Sequence, residues 1–214
     1  HRDLHSFPTR RSSDLFLVVA GGLALLALRW DAWPDPSVDF GREIYTAWRI
    51  SEGDLLQRDV AWLNGPLSPH VNALWLVLFG ASVRSLVLAN LGLLASFTYL
   101  VYRILLDRSS HVAASAGAAL LLSVFALGQH LRMDAFNYLA PYSHEPVHGL
   151  YLATLLLFLA FHGRPGRARW FGAGLCLGLL GLTRPETFLA GAAGLAARSE
   201  ERRVGKECRT RWSP

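Results

Sequence analysis

The chain has 214 residues, of which 52% are apolar and 17% charged, with a formal net charge of +5. That excludes a disordered, highly charged polypeptide, which is poor in apolar residues. The apolar residues stand in blocks, 16–30, 86–106 and 150–161 among them, with short polar stretches between, and this is the layout of a membrane protein rather than a soluble domain.

The two ends read differently from the middle. Residues 198–208 read RSEERRVGKEC, and one back-translation of that run resembles a short-read sequencing adapter. The reverse complement, read one base in, gives HSFPTRRSSDL, which is residues 5–15. Segments 1–15 and 198–214 are therefore set aside as adapter-like. Residues 16–197 are read for fold, as an internal fragment of a larger protein. They hold twelve Arg, no Lys and eleven acids, a net charge of +1. The chain's basic character thus lies mostly in its ends, and no nucleic-acid partner is expected. Cys176 is the one cysteine of this segment, which leaves no disulfide framework and no thiolate metal cluster.

In chain order, residues 16–30 read as the tail of a first membrane helix. Residues 31–83 are long and mixed. Residues 86–106, 112–131, 149–162 and 170–183 read as further spans, several of them short of the roughly 20 residues a bilayer crossing needs. Flanking Trp, Tyr, His and Arg side chains carry such ends to the interface. Residues 187–197 begin another span. Within the long segment, 38–51 has helical spacing, with Phe40, Ile44, Tyr45 and Trp48 expected on one face, as for a helix lying on a membrane surface. Glu52, Gly53 and Asp54 end it.

Arginine counting orients the chain. Arg164, Arg167 and Arg169 with no acid mark 163–169 as cytoplasmic. The segment 132–148 then faces outward, and the Arg103/Arg108 turn inward. Residues 31–83 carry seven acids against Arg42, Arg49 and Arg58 and are expected outside. The apolar run 66–79 is about 21 Å long as a helix, less than a ~30 Å hydrocarbon core, so it is expected along the outer surface rather than across the membrane. A tilted span is the other reading.

This topology gathers the unusual polar groups on one face: Asp39, Glu43, Asp59 and Asn64 from the first loop, Arg132, Asp134, Asn137, Tyr142, His144, Glu145 and His148 from the second, Arg184 and Glu186 from the third. Ionisable groups at membrane depth are costly, so such a cluster is a site hypothesis. Asp39 opens the surface helix, as an N-cap or as a base for an incoming hydroxyl. Glu43, four residues on, shares its face, as a site group or a solvated acid. Asp59 lies among turn residues. Arg184 suits a phosphate, or an ion pair with Glu186.

His144-Glu145-Pro146-Val147-His148 matches H-E-x-x-H, in which two His one helical turn apart bind zinc and Glu acts as base. Pro146 fits a first helical turn but not an interior. His144 is therefore expected before the helix, off the face of His148. Loose binding of a divalent cation by His144, Glu145 or His148 fits this segment better than a protease.

The runs VDFGREIYTAWRISEGDLLQRDVAWLNGPLSPHVNALWLVLFG, DAFNYLAPYSHEPVHG and GLTRPETFLA, in that order, resemble the GT-C superfamily of polytopic glycosyltransferases. The likeness is to bacterial family 39-like relatives of the dolichyl-phosphate-mannose protein mannosyltransferases, including the galacturonosyltransferase-like domain, and spans nearly all of 16–197. It implies an all-α polytopic membrane helix bundle with surface helices in its first outer loop, in a bacterial inner membrane. It also implies inverting transfer of a sugar from a polyprenyl-phosphate donor to a glycan, lipid or protein acceptor outside the cytoplasm. By position in the motif Asp39 is the general base and Asp134 the second acid. Glu43, Asp59, Asp134, Asn137, Tyr142, Arg184 and Glu186 are the expected substrate-binding residues. Members differ in their use of a divalent metal cation. A polytopic transporter, with charges within spans near the midplane, and a membrane metalloprotease using HEPVH are the alternatives.

Overall fold

The computed structural model describes residues 9–30, 33–35, 37, 40–128, 137–162 and 166–211, with the backbone alone described for 9–15, 29, 198–199 and 201–211. Asp39, Arg132 and Asp134 lie outside the described residues. Those described are all-α: α1 (Thr9–Arg29), α2 (Phe40–Ser51), α3 (Leu67–Phe79), α4 (Val83–Leu106), α5 (His111–Leu120), α6 (His144–Phe161), α7 (Arg167–Gly181) and α8 (Pro185–Arg211). A π-helical turn, Leu121–Ala126, continues α5. Helices α1 and α8 run past residues 16 and 197 into the segments set aside as adapter-like.

Two helices are long and apolar enough to cross a membrane, α4 and α6. At 1.5 Å per residue they are about 36 and 27 Å long. The apolar stretches expected to span at 112–131 and 170–183 form shorter helices, as does 66–79. Local chemistry sets several helix ends. Ser82 and Ser110 each lend a hydroxyl to a first-turn N–H, of Ser85 and Ala113, at 3.2 Å. Gly53, at φ +103°, follows the end of α2 in a conformation that side chains disfavour.

The chain divides into two units, residues 1–42 with 82–142, and 43–81 with 143–214. In the first, α1 and α4 pack against α5. Val87, Leu94, Ala126, Leu127 and Leu139 form one apolar core there, and Val18, Tyr102, Ala114 and Ala118 a second. In the second unit, α6, α7 and α8 pack around Leu152, Leu156, Ala173, Cys176 and Leu180, with α3 laid on α6.

The turn before α3 is tied to the turn before α8. Gly65 N–H donates to the Thr183 carbonyl and Leu67 N–H to the Leu182 carbonyl, both at 3.0 Å. A Cβ at Gly65 would stand 2.1 Å from the Leu182 carbonyl oxygen, so only glycine allows this approach.

The face expected to rest on a membrane surface is divided: Phe40 is buried together with Glu43, Thr46 and Ala47, while Tyr45 and Trp48 are exposed, with ring centroids 6.2 Å apart.

Candidate functional site

The second unit buries a group of ionisable side chains at the start of α6. Glu43 is 1% exposed, His144 and Glu145 0%, and His148 6%. Placing charge or unpaired polar groups out of water is costly, so each needs a partner. Each has one. The Nδ1 of His144 is 3.0 Å from Glu43 Oε2, and the His144 backbone N–H donates to the same oxygen at 3.4 Å. An ionised carboxylate only accepts, so in that state Nδ1 is the donor of this contact. Ser68 Oγ, on α3, is 2.9 Å from His148 Nδ1. The Ser143 hydroxyl donates to Glu145 Oε2, while Glu145 Oε1 has no hydrogen-bond partner among the described residues.

Two expectations are overturned here. Glu43 is not a solvated surface acid: its carboxylate is enclosed and committed to His144. His144 does not precede the helix either, since it is the first residue of α6. Pro146 sits in the first turn, where its missing N–H would have had no intrahelical acceptor, so the helix starts two residues ahead of it. His144 and His148 therefore lie one turn apart, with ring centroids 5.7 Å apart. The three HEPVH groups are held by Glu43, Ser143 and Ser68 in turn, and among the described residues no three carboxylate, imidazole or thiolate side chains converge as a metal set.

The third segment joins the same unit. Thr183 is fully buried and shares a hydroxyl contact of 3.1 Å with Thr187. Thr187 lies against Gly149 of α6, where a Cβ would meet its methyl carbon at 2.9 Å. Arg184 directly precedes Pro185, the first residue of α8, and its Nε is buried without a hydrogen-bond partner among the described residues. A guanidinium beside the positive end of a helix is suited to an anion. Glu186 is exposed on the first turn of α8, and among the described residues no ion pair joins it to Arg184.

The remaining expected site residues are held locally. Asp59 accepts from Leu55 N–H at 2.9 Å and pairs with Arg58 at 2.8 Å, closing its own turn. The Arg58 hydrogen bond, with the Leu55 amide second, holds its carboxyl below the ordinary aspartate value. Asn137, in the first unit, accepts from Leu139 and Ala140 N–H at 2.8 and 2.9 Å, an Asx turn. Tyr142, also in the first unit, is half exposed, with the Arg42 guanidinium 5.7 Å from its ring centroid.

Gly65, in the Gly-Pro-Leu turn, belongs to this arrangement, as do Ser68 and the Thr183/Thr187 pair, which were not singled out by sequence reasoning. The signal for Thr183 and Thr187 was their i, i+4 spacing across the start of a helix. Ser68, in the run GPLSPH, carries no local signal beyond a serine in a first helical turn. No protein-family model, curated protein or solved structure matches the chain.

Proposed function

We propose that this chain is the membrane-embedded part of a glycosyltransferase that moves a sugar, with inversion, from a polyprenyl-phosphate donor to an acceptor outside the cytoplasm. One observation carries the reading. The first-loop, HEPVH and TRPE segments, far apart in sequence, are bonded to one another in one unit, through Glu43–His144, Ser68–His148 and Gly65–Thr183. Within that unit the junction stands at the start of α6, a helix that can span a bilayer and keeps under half of its apolar stretch buried within the protein, which leaves the rest for lipid. In the other unit α4 is also long and apolar enough to span.

In the proposed reaction Asp39 takes the proton of an acceptor hydroxyl as its oxygen attacks the anomeric carbon. The bond from that carbon to the phosphate oxygen breaks, and the polyprenyl phosphate leaves with the electron pair. Arg184 meets the charge on the departing phosphate. A phosphate leaves without a strong general acid.

The test is transfer by the protein in membranes, supplied in turn with polyprenyl-phosphate hexoses and pentoses, read as release of free polyprenyl phosphate. Asp39→Asn is expected to reduce release by about 10²- to 10⁴-fold at unchanged protein level. Near-normal release by that variant removes Asp39 from the role, and no release by the unaltered protein with any donor overturns the reading.

A further inference from the structure

The proposed reaction makes no use of the enclosed contact between Glu43 and His144, yet that contact solves a specific problem at the start of α6. A helix leaves its first N–H groups without intrahelical acceptors. Ser143 stands at the N-cap with extended backbone, but it makes no side-chain capping bond, because its hydroxyl goes to Glu145. Glu43 supplies what the cap does not. Its Oε2 accepts from the His144 N–H and from the His144 ring, at 3.4 and 3.0 Å. Glu43 also lies in the first turn of α2. One carboxylate oxygen thus serves the start of α6 while its residue sits at the start of α2, both positive helix ends.

We propose that Glu43 is a positioning residue, which docks α2 onto the N-terminal end of α6 through His144 and so fixes the helix into which Asp39 leads. It does not bind substrate. The inference rests on the proposed function for its consequence in turnover, but the docking itself is read without any activity. The reach is specific: aspartate is one methylene too short to span from α2 to Nδ1, whereas glutamine keeps an oxygen at the same distance.

The experiment places nitroxide labels at two exposed positions of this unit, Trp48→Cys on α2 and Leu150→Cys on α6, in a background with Cys176 and Cys208 replaced by Ser. Distances are measured by pulsed dipolar spectroscopy on the monodisperse fraction in detergent. The expected result is one narrow distribution for the parent and for Glu43→Gln. Glu43→Ala, Glu43→Asp and His144→Ala are expected to give a broadened or displaced distribution, with no further change in the Glu43→Ala/His144→Ala double variant. A Glu43→Ala distribution superimposable on the parent's overturns the proposal, as does an additive change in the double variant. If Glu43→Ala yields no monodisperse protein, the Glu43→Asp against Glu43→Gln comparison decides in the same way.

In the transfer assay, Glu43→Ala is expected to lower kcat at least tenfold with the donor KM within twofold, and Glu43→Gln to stay within threefold of the parent in kcat. A rise in donor KM at unchanged kcat assigns Glu43 to substrate binding and overturns the positioning role. Absence of transfer in the parent counts against the glycosyltransferase reading and leaves the label distances as the measure of docking.

Discussion

The two units are built from similar apolar helices, yet they bury different things. The unit of α1, α4 and α5 encloses hydrocarbon. Among its described residues the buried polar groups include Asn90 and Asn137, and each is bonded to backbone of that unit. It also leaves a half-open groove of about 360 Å³ lined almost entirely by apolar side chains, Val18, Gly22, Leu91, Leu94, Ala95 and Leu122 among them. The unit of α3, α6, α7 and α8 has a comparable apolar core, but it adds two carboxylates and two imidazoles at one end of α6. Burying such groups gives little stability and often costs it. Their presence in one unit and not among the described residues of the other is what marks that end of α6 as a site.

Five substitutions or conditions test this contrast, in falling order of effect. Gly65→Ala drives a methyl group into the backbone of the turn before α8, and it is expected to cost more than about 4 kcal/mol or to prevent folding. Thermal unfolding in detergent measures it, and a stable Gly65→Ala protein would show that the segments are not held together there.

Leu156→Ala, at a fully buried position of the second unit, is expected to cost about 2–5 kcal/mol. In the first unit Ala95→Leu adds a side chain at an exposed position of the half-open groove and is expected to change stability by less than about 0.5 kcal/mol. If Ala95→Leu destabilises as a tightly packed position would, the difference in packing between the units is refuted.

Replacing both members of the Ser68–His148 contact, as Ser68→Ala with His148→Leu, is expected to change stability by less than about 1 kcal/mol, because no buried polar group is left without its partner. Transfer should fall in the same variant. Loss of stability together with activity would make the contact structural.

The smallest effect is expected at Asp59. Its carboxyl is held below the ordinary value by the Arg58 hydrogen bond and then the Leu55 amide. A lowered folded-state value means that the stabilising contribution is present at neutral pH. It is lost as pH falls below about 4 and on through the lowered value. Amide exchange of residues 54–60 should rise in that acid range while α6 keeps its protection.

Much of the helical layout was legible. Blocks of apolar residues with polar breaks placed α4, α7 and the end of α6 close to their observed limits, because helix formation follows local spacing and local capping. Val38–Ser51 was read as a helix and α2 covers Phe40–Ser51, but the enclosure of Glu43 was not legible. Hydrophobic spacing has no means of seeing a carboxylate that is enclosed because its partner is. The start of α6 was misplaced: Pro146 was read as fitting a first turn but His144 as lying before the helix, whereas α6 begins at His144, two residues ahead of the proline.

By itself, then, the sequence determined that the chain is helical and apolar, in what order its helices run, and which segments carry unusual polar residues. Each of these depends on neighbours within a turn or two. Tertiary structure alone decided which of those residues meet. Glu43 and His144 are 101 positions apart, Ser68 and His148 are 80. No local pattern links them, because the energy that joins them arises only when packing has removed water from both.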